Sequence, residues 1–189
     1  MSALFDWLFG TRRSPTPTQY NKTSPHDTAP AKPSRKKRKT FQLVEKEFDP
    51  DGDATDLIWR GFVVADDQGN YLTYDDPDLR DTGIYIFKVA GVSYREQALQ
   101  SEAFSPGNAL TLVLEDNNPY DRNAVSIWDE HRTQTIGYVP REENEAIRAM
   151  LQLSPNSNLM SLAESRKGEK RVGLQVIFGP FKKIREEVI

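Results

Sequence analysis

From Phe41 onward apolar residues recur in short, β-type bursts rather than in long helical stripes. The run LIWRGFVV (57–64), the turn-forming DDQGN and the run YLTY (71–74) predict a hairpin, because Gly69 and Asn70 supply turn conformations between β-rich arms. Further strands are predicted at 84–94, 109–114, 124–128, 135–139 and 171–178. Few of the connections are long enough for a helical crossover, so the sheet is expected to be mostly antiparallel. One helix is predicted over 140–153. Pro140 suits a first helical position, Glu142 and Glu143 suit the positive end of the dipole, and Ile147, Met150 and Leu151 share a face. A second helix is predicted from about 157 to 164, where SPNSN supplies a cap ahead of a short apolar face. The expected fold class is mainly β with one or two short helices, and the chain shows no internal repeat.

The first 40 residues follow a different pattern. Residues 11–40 are rich in Pro, Ser, Thr and Lys, bury too little to offset their ordering entropy, and are expected to form a disordered arm. Within them PSRKKRK (33–39) is a compact cationic run that suits nucleic-acid phosphates, a nuclear address or a solvated linker alike. At the start, Leu4, Phe5, Trp7, Leu8 and Phe9 can form a turn or two of amphipathic helix that docks on a partner such as a helicase or nuclease, or touches a membrane surface. A frayed terminus fits these residues equally well. The formal net charge of −3 hides a division. Residues 1–40 hold nine Lys/Arg against two Asp, and the remainder holds 16 Lys/Arg against 26 Asp/Glu, so a basic arm precedes an acidic body.

Composition also removes whole classes of chemistry. Without cysteine there are no disulfides, thiolate metal sites or thiol nucleophiles, and two histidines, His26 and His131, make a histidine metal site or a Ser/His/Asp triad a poor fit. Any metal would rest on oxygen ligands. No apolar run reaches the roughly 20 residues that span a bilayer, and the N-terminus lacks the basic region and cleavage site of a secretory signal. The expectation is an intracellular protein, cytoplasmic and nucleoid-associated if bacterial, nuclear if eukaryotic.

The densest polar chemistry lies in NNPYDRNAVSIW (117–128), directly ahead of a strand-like alternation. Read with its surroundings, GVSYREQAL…ALTLVLEDNNPYDRNAVSIWDEHRTQTIGYVPREENEAI, it resembles the HIRAN domain. The matching residues are the acidic-Asn-Pro-Tyr-Asp-x-Asn-Ala-apolar string of 115–125 and the downstream IGYVPRE of 136–142. The resemblance spans about 84–181. It implies a small OB-like antiparallel β-barrel that binds single-stranded DNA at its 3′-hydroxyl end. It also implies that Tyr120 and Asp121 hold the terminal nucleotide, that Tyr94 stacks a base, and that Arg141 meets the backbone. The family often has Arg before the stacking tyrosine, whereas Ser93 stands here and Arg95 lies beyond it. Phe178 and Phe181 are the candidates for a further aromatic contact. Domain boundaries follow: an arm at 1–40, a β extension packed on the barrel at 41–83, and the HIRAN-like domain at 84–185.

These residue types suit such a role. Every base has a π face, so stacking on Tyr94 or Tyr120 contributes roughly 1–3 kcal/mol per base without demanding a sequence. A carboxylate accepts hydrogen bonds only, so Asp121 can take one from a free 3′-hydroxyl and would repel a 3′-phosphate. Asn117, Asn118 and Asn123 can fix the loop and donate to phosphate oxygens. Structural roles compete: Asn123 and Pro119 make turns, Ala124, Ile127 and Trp128 suit a core strand, and Arg141 suits an exposed helix start. The acidic body argues against strong non-specific DNA binding.

Two other classes remain in view. Glu115, Asp116 and Asp121 could gather a divalent metal for phosphoester or anhydride hydrolysis, but no P-loop, second carboxylate cluster or placed histidine accompanies them. DPDGDATD (49–56) has calcium-type spacing at Asp49, Asp51 and Asp53, yet Gly52 comes too early and Arg60 stands at position twelve, so an acidic turn is the better reading. An adaptor recruited through residues 4–9 is the third class. The expectation is a non-catalytic, cofactor-free nucleic-acid end-binding module serving repair, replication restart or defence.

Overall fold

β-Branched and aromatic residues at alternating depth build nine strands in the computed structural model, which describes residues 40–48, 57–154 and 157–180. The basic arm, the calcium-like stretch 49–56 and Phe181 lie outside the described residues. β1 (Phe41–Phe48) and β2 (Leu57–Asp66) pair antiparallel along the whole of β1. β2 then turns into the short β3 (Tyr71–Leu72), as the hairpin pattern predicts. The turn is fixed by Asp66, whose carboxylate accepts the backbone N–H groups of Gln68 (2.9 Å) and Asn70 (2.8 Å) and the Asn70 amide (2.9 Å).

The other strands are β4 (Tyr85–Lys88), β5 (Ala109–Leu114), β6 (Val125–Asp129), β7 (Thr135–Tyr138), β8 (Asn158–Lys167) and β9 (Lys170–Gly179). Every pairing is antiparallel. β4 pairs with β9, β9 with β8, β8 with β5, β5 with β6 and β6 with β7. A bridge between Ala90 and Tyr138, with both N–H···O distances 2.9 Å, joins β7 back to the segment after β4. The pairings thus run in a ring, and the chain adopts a mainly β, antiparallel barrel with short helices.

Helix α1 (Pro77–Asp81) lies in the extension, while α2 (Glu96–Leu99) and α3 (Arg141–Leu153) belong to the barrel. The core inside the ring gathers Phe87, Leu99, Phe104, Ile127, Ile136, Leu174 and Phe178, and α3 closes it with Ile147. A second cluster joins Phe41, Val64 and Leu79 of the extension to Ile84, Ile86, Leu162 and Ile177. Residues 41–83 share both sheet and core with the barrel, because β2 also pairs with β8.

Two elements differ from expectation. The helix predicted at 157–164 is strand β8. Its register shifts between Ser161 and Ala163, so Ser161, Leu162 and Ala163 are all buried in succession, and the apolar spacing imitates a helical face. The strand predicted over 84–94 stops at Lys88. Gly91, at φ 79°, turns the chain into a 3₁₀ turn at Val92–Tyr94 that runs on to α2. Tyr94 therefore stands on a helical turn rather than on a strand.

Asp129, at the end of β6, gives the barrel a measurable acid sensitivity. Its carboxylate is 5% exposed and accepts from the Thr133 N–H and hydroxyl (both 2.6 Å) and the Gln134 N–H (3.0 Å). Burial alone would raise this carboxyl; the hydrogen bonds from Thr133 and Gln134, with a contribution from the nearby His131, outweigh it and hold the carboxyl below its ordinary 3.8. A depressed folded value stabilises the protein fully above 3.8, and that stability is lost as pH falls below it. Thermal unfolding from pH 6 to pH 2 should show a shallower acid limb in Asp129→Ala than in the wild type, together with a lower Tm at pH 6. Parallel acid limbs would contradict the assignment.

Candidate functional site

The loop from Glu115 to Ala124, between β5 and β6, is built from nested side-chain turns. Asn118 donates from Nδ2 to Glu115 Oε2 (2.7 Å), and its Oδ1 accepts the N–H groups of Tyr120 (2.9 Å) and Asp121 (3.2 Å). Asp121 Oδ1 accepts the Asn123 N–H (2.8 Å), and the Ala124 N–H donates to Asp121 O (3.0 Å). Each Asx-type turn fixes the backbone of the next residues, so the loop holds its shape without a core of its own. One consequence is that Tyr120 projects outward with 90% of its surface exposed. The other is that Asp121 turns inward, its side chain 23% exposed, toward the first turns of α3.

There the Asn144 amide donates from Nδ2 to Asp121 Oδ2 (2.9 Å), and Arg141 Nε lies 3.9 Å from the same oxygen. Between loop and helix opens a polar cleft of about 600 Å³, lined by Tyr120, Asp121, Arg122, Asn123, Arg141, Glu142 and Glu145. Its lining carries two guanidiniums against three carboxylates. A second hollow, about 590 Å³, is lined by Tyr94, Arg95 and α2 on one side and by Trp128 and Thr133–Thr135 on the other. Tyr94 there is also 90% exposed.

Tyr120, Asp121, Asn123 and Arg141 are thus brought together in one cleft, while Tyr94 and Arg95 line the other. Asn118 lines neither; its amide donates to Glu115 and accepts from the Tyr120 and Asp121 N–H groups, so it shapes the loop. Phe178 is fully buried in the core and offers no face to a base. Ala124 and Ile127 are buried and Trp128 is half-buried, its indole N–H bonded to Ser126 Oγ (2.9 Å).

The three carboxylates named for a metal do not converge. Glu115 is bonded to Asn118, Asp116 to Arg148, and Asp121 to Asn123 and Asn144. Among the described residues no three acidic or histidine side chains are grouped to hold an ion. Asn144 is the neighbour of Asp121 that sequence reasoning missed. Its signal was a polar residue three positions before Ile147, on the inward stripe of an amphipathic helix.

Comparison with known proteins bears on the same region. The family model of the HIRAN domain matches residues 82–178, just over half of the chain. No curated protein matches the chain. Among solved structures it is similar to the crystal structure of the HIRAN domain of human HLTF, with 15% identity and a TM-score of 0.38, over 56% of this chain and 89% of that one. Among the described residues no helix is long and apolar enough to cross a membrane.

Proposed function

The chain belongs to the HIRAN domain family, whose members are DNA-binding modules, and from that premise we propose that its barrel binds the free end of a single strand and reads the terminal 3′-hydroxyl at Asp121. The observation that carries this reading is the pairing of an exposed aromatic ring, Tyr120, with an adjacent carboxylate that still has acceptor capacity. An ionised carboxylate offers about four acceptor sites. Asn123 and Asn144 occupy one on each oxygen, which leaves room for a donated hydroxyl proton.

A terminal 3′-hydroxyl supplies that proton; an internal nucleotide or a fully ionised 3′-phosphate does not, and the phosphate adds further negative charge to a cleft already holding three carboxylates. Stacking on Tyr120 contributes roughly 1–3 kcal/mol whatever the base. Tyr94, over its own hollow, offers the same surface to a base further along the strand. Arg141, with 82% of its side chain exposed, and Arg122 line the cleft and suit contacts to backbone phosphates. General attraction to DNA falls to the basic residues 1–40, since the remainder of the chain is acidic. The module acts by binding, without chemistry of its own, in repair, replication restart or defence.

Fluorescence anisotropy on three labelled oligonucleotides, ending in a 3′-hydroxyl, a 3′-phosphate or a blocked duplex, tests the reading at two salt concentrations. Wild type is expected to favour the 3′-hydroxyl strand at least about tenfold, the worth of one charge-assisted hydrogen bond. Asp121→Asn should bring the ratio near one, because an amide can also donate to phosphate. Tyr120→Ala should weaken both single strands by about 5–150-fold while keeping the ratio. Equal binding of all three ends, collapsing with salt, would leave only the basic arm as the binding element.

A further inference from the structure

Asp121 is held from behind by a buried residue, and the manner of holding decides which chain end the cleft admits. We infer that Asn144 is the positioning residue that gives the cleft its selectivity between a terminal hydroxyl and a terminal phosphate; the inference rests on the end-reading role proposed for Asp121.

The terminal torsion of an aspartate is broad, so a carboxylate held at one oxygen alone can swing its second oxygen. Asn123 fixes Oδ1 through the loop backbone, and Asn144 fixes Oδ2 from α3 at 2.9 Å. Asn144 is 4% exposed, so bulk water cannot replace its amide. Its own Oδ1 is buried without a hydrogen-bond partner, an arrangement kept although a buried polar atom without a partner is costly. The amide is therefore held at Asp121 by its donor end alone.

The nature of that donor matters as much as its place. A lysine or arginine here would neutralise the carboxylate and make the cleft tolerant of a phosphate, whereas an amide orients the carboxylate and leaves its charge intact. The cation that is near, Arg141, stands 3.9 Å away and is largely exposed, where solvent weakens its influence. The helix turn carrying Asn144 is itself clamped. The preceding residue, Glu143, takes two hydrogen bonds from the Arg80 guanidinium of α1, at 2.9 and 2.5 Å. This pair ties α1 of the 41–83 extension to the residue beside Asn144.

The test uses the full chain and the 3′-hydroxyl and 3′-phosphate strands, with wild type, Asn144→Ala and Asn144→Asp measured at pH 5 and pH 8 alongside their Tm. Asn144→Ala is expected to cut end selectivity about tenfold at both pH values, the equivalent of one buried hydrogen bond to a charge. In Asn144→Asp the introduced carboxyl and Asp121 cannot both ionise at such separation. Protonated, the new group donates to Asp121 as the amide does; ionised, it repels it. Relative to wild type at each pH, selectivity should therefore persist at pH 5 and fall at pH 8, an effect that a purely structural role would not produce.

The wild-type and alanine series control for the other charged groups here, Asp116, Arg122, Arg141, Glu142, Glu145 and Arg148, and for the strand's own 3′-phosphate, which takes up a proton between pH 8 and pH 5. Unchanged selectivity in Asn144→Ala, or a pH response in Asn144→Asp matching that of wild type, overturns the inference while the end-reading role stands. If Asn144→Ala does not fold, the Asn144→Asp series decides alone. A wild type without end preference overturns the end-reading role itself, and with it this inference.

Discussion

Arg171→Ala should lower the stability of the protein by about 3 kcal/mol, the lower end of the range for breaking a buried ion pair by removing one partner. Arg171 is 4% exposed at the head of β9, and its Nε faces the carboxylate of Glu164, itself 5% exposed. The same guanidinium donates from Nη1 to Leu99 O (2.8 Å) and Ser101 O (2.9 Å), and from Nη2 to Ser105 Oγ (3.1 Å). Its backbone exchanges two further hydrogen bonds with the Gln100 amide, at 2.8 and 3.1 Å. Alanine would take the guanidinium from the buried Leu99 carbonyl, leave Ser101 O with the Phe104 N–H alone and leave Glu164 with Arg166 as its remaining cation, which is why the lower end of the range applies. For a folded region of this size the loss corresponds to a fall in Tm of about 10 °C, readable by thermal or urea unfolding. A loss below about 1 kcal/mol would mean that water replaces the guanidinium without penalty. Because Arg171 ties down the segment that follows Tyr94 and Arg95, the variant should also weaken binding of longer strands while leaving end selectivity at Asp121 in place.

No part of that network was visible in the sequence, and the reason is general. Arg171 and Glu164 sit on neighbouring strands, and their shared burial follows from the register of β8 against β9, which period-two patterning alone does not set. What patterning does carry is local. The alternation at 57–64, the DDQGN turn, the strands at 109–114, 124–128, 135–139 and 171–178, and the helix after Pro140 all appear in the fold within a residue or two. It failed where a local irregularity altered the pattern: at the β8 bulge, which read as a helix, and beyond Lys88, where the strand stops and Gly91 turns the chain although apolar residues continue.

The candidate site divides along the same line. The turn chemistry of 117–123 was legible because Asn118, Pro119 and Asp121 act on backbone within three residues of themselves. From it follow the exposure of Tyr120 and the inward turn of Asp121. Asn118 could be read as either contact or turn-maker from its type, and its hydrogen bonds show the turn role. Asn144 lies 23 residues beyond Asp121, and Arg80 lies 63 before Glu143, so neither link leaves a trace in local spacing. The separation of Tyr94 from Tyr120 into two hollows is likewise a property of the curled sheet and not of either motif.

Gly137→Ala should be more damaging still, costing about 4 kcal/mol or more, because it places a side chain where two backbones meet. Gly137 has φ 151°, and a Cβ built there would lie 2.3 Å from Ala90 O and 2.9 Å from a Val89 methyl. Ala90 O is the acceptor for the Tyr138 N–H, one of the two hydrogen bonds of the bridge that closes the ring of strands. The alanine methyl cannot rotate away from a backbone oxygen, so the bridge must open or the strand must shift. Native-state hydrogen exchange distinguishes this from general loosening. The Ala90 and Tyr138 amides should lose protection first, while the β1–β2 ladder, paired from Phe41↔Asp66 to Phe48↔Trp59 on the far side of the sheet order, keeps its own. The consequence reaches the cleft, because Val139, Pro140 and Arg141 lead directly from the bridge into α3 and carry Asn144 with them. End selectivity should fall together with ring closure; a variant that folds with Tyr138 still protected and discriminates ends as wild type does would show that the bridge is dispensable for both.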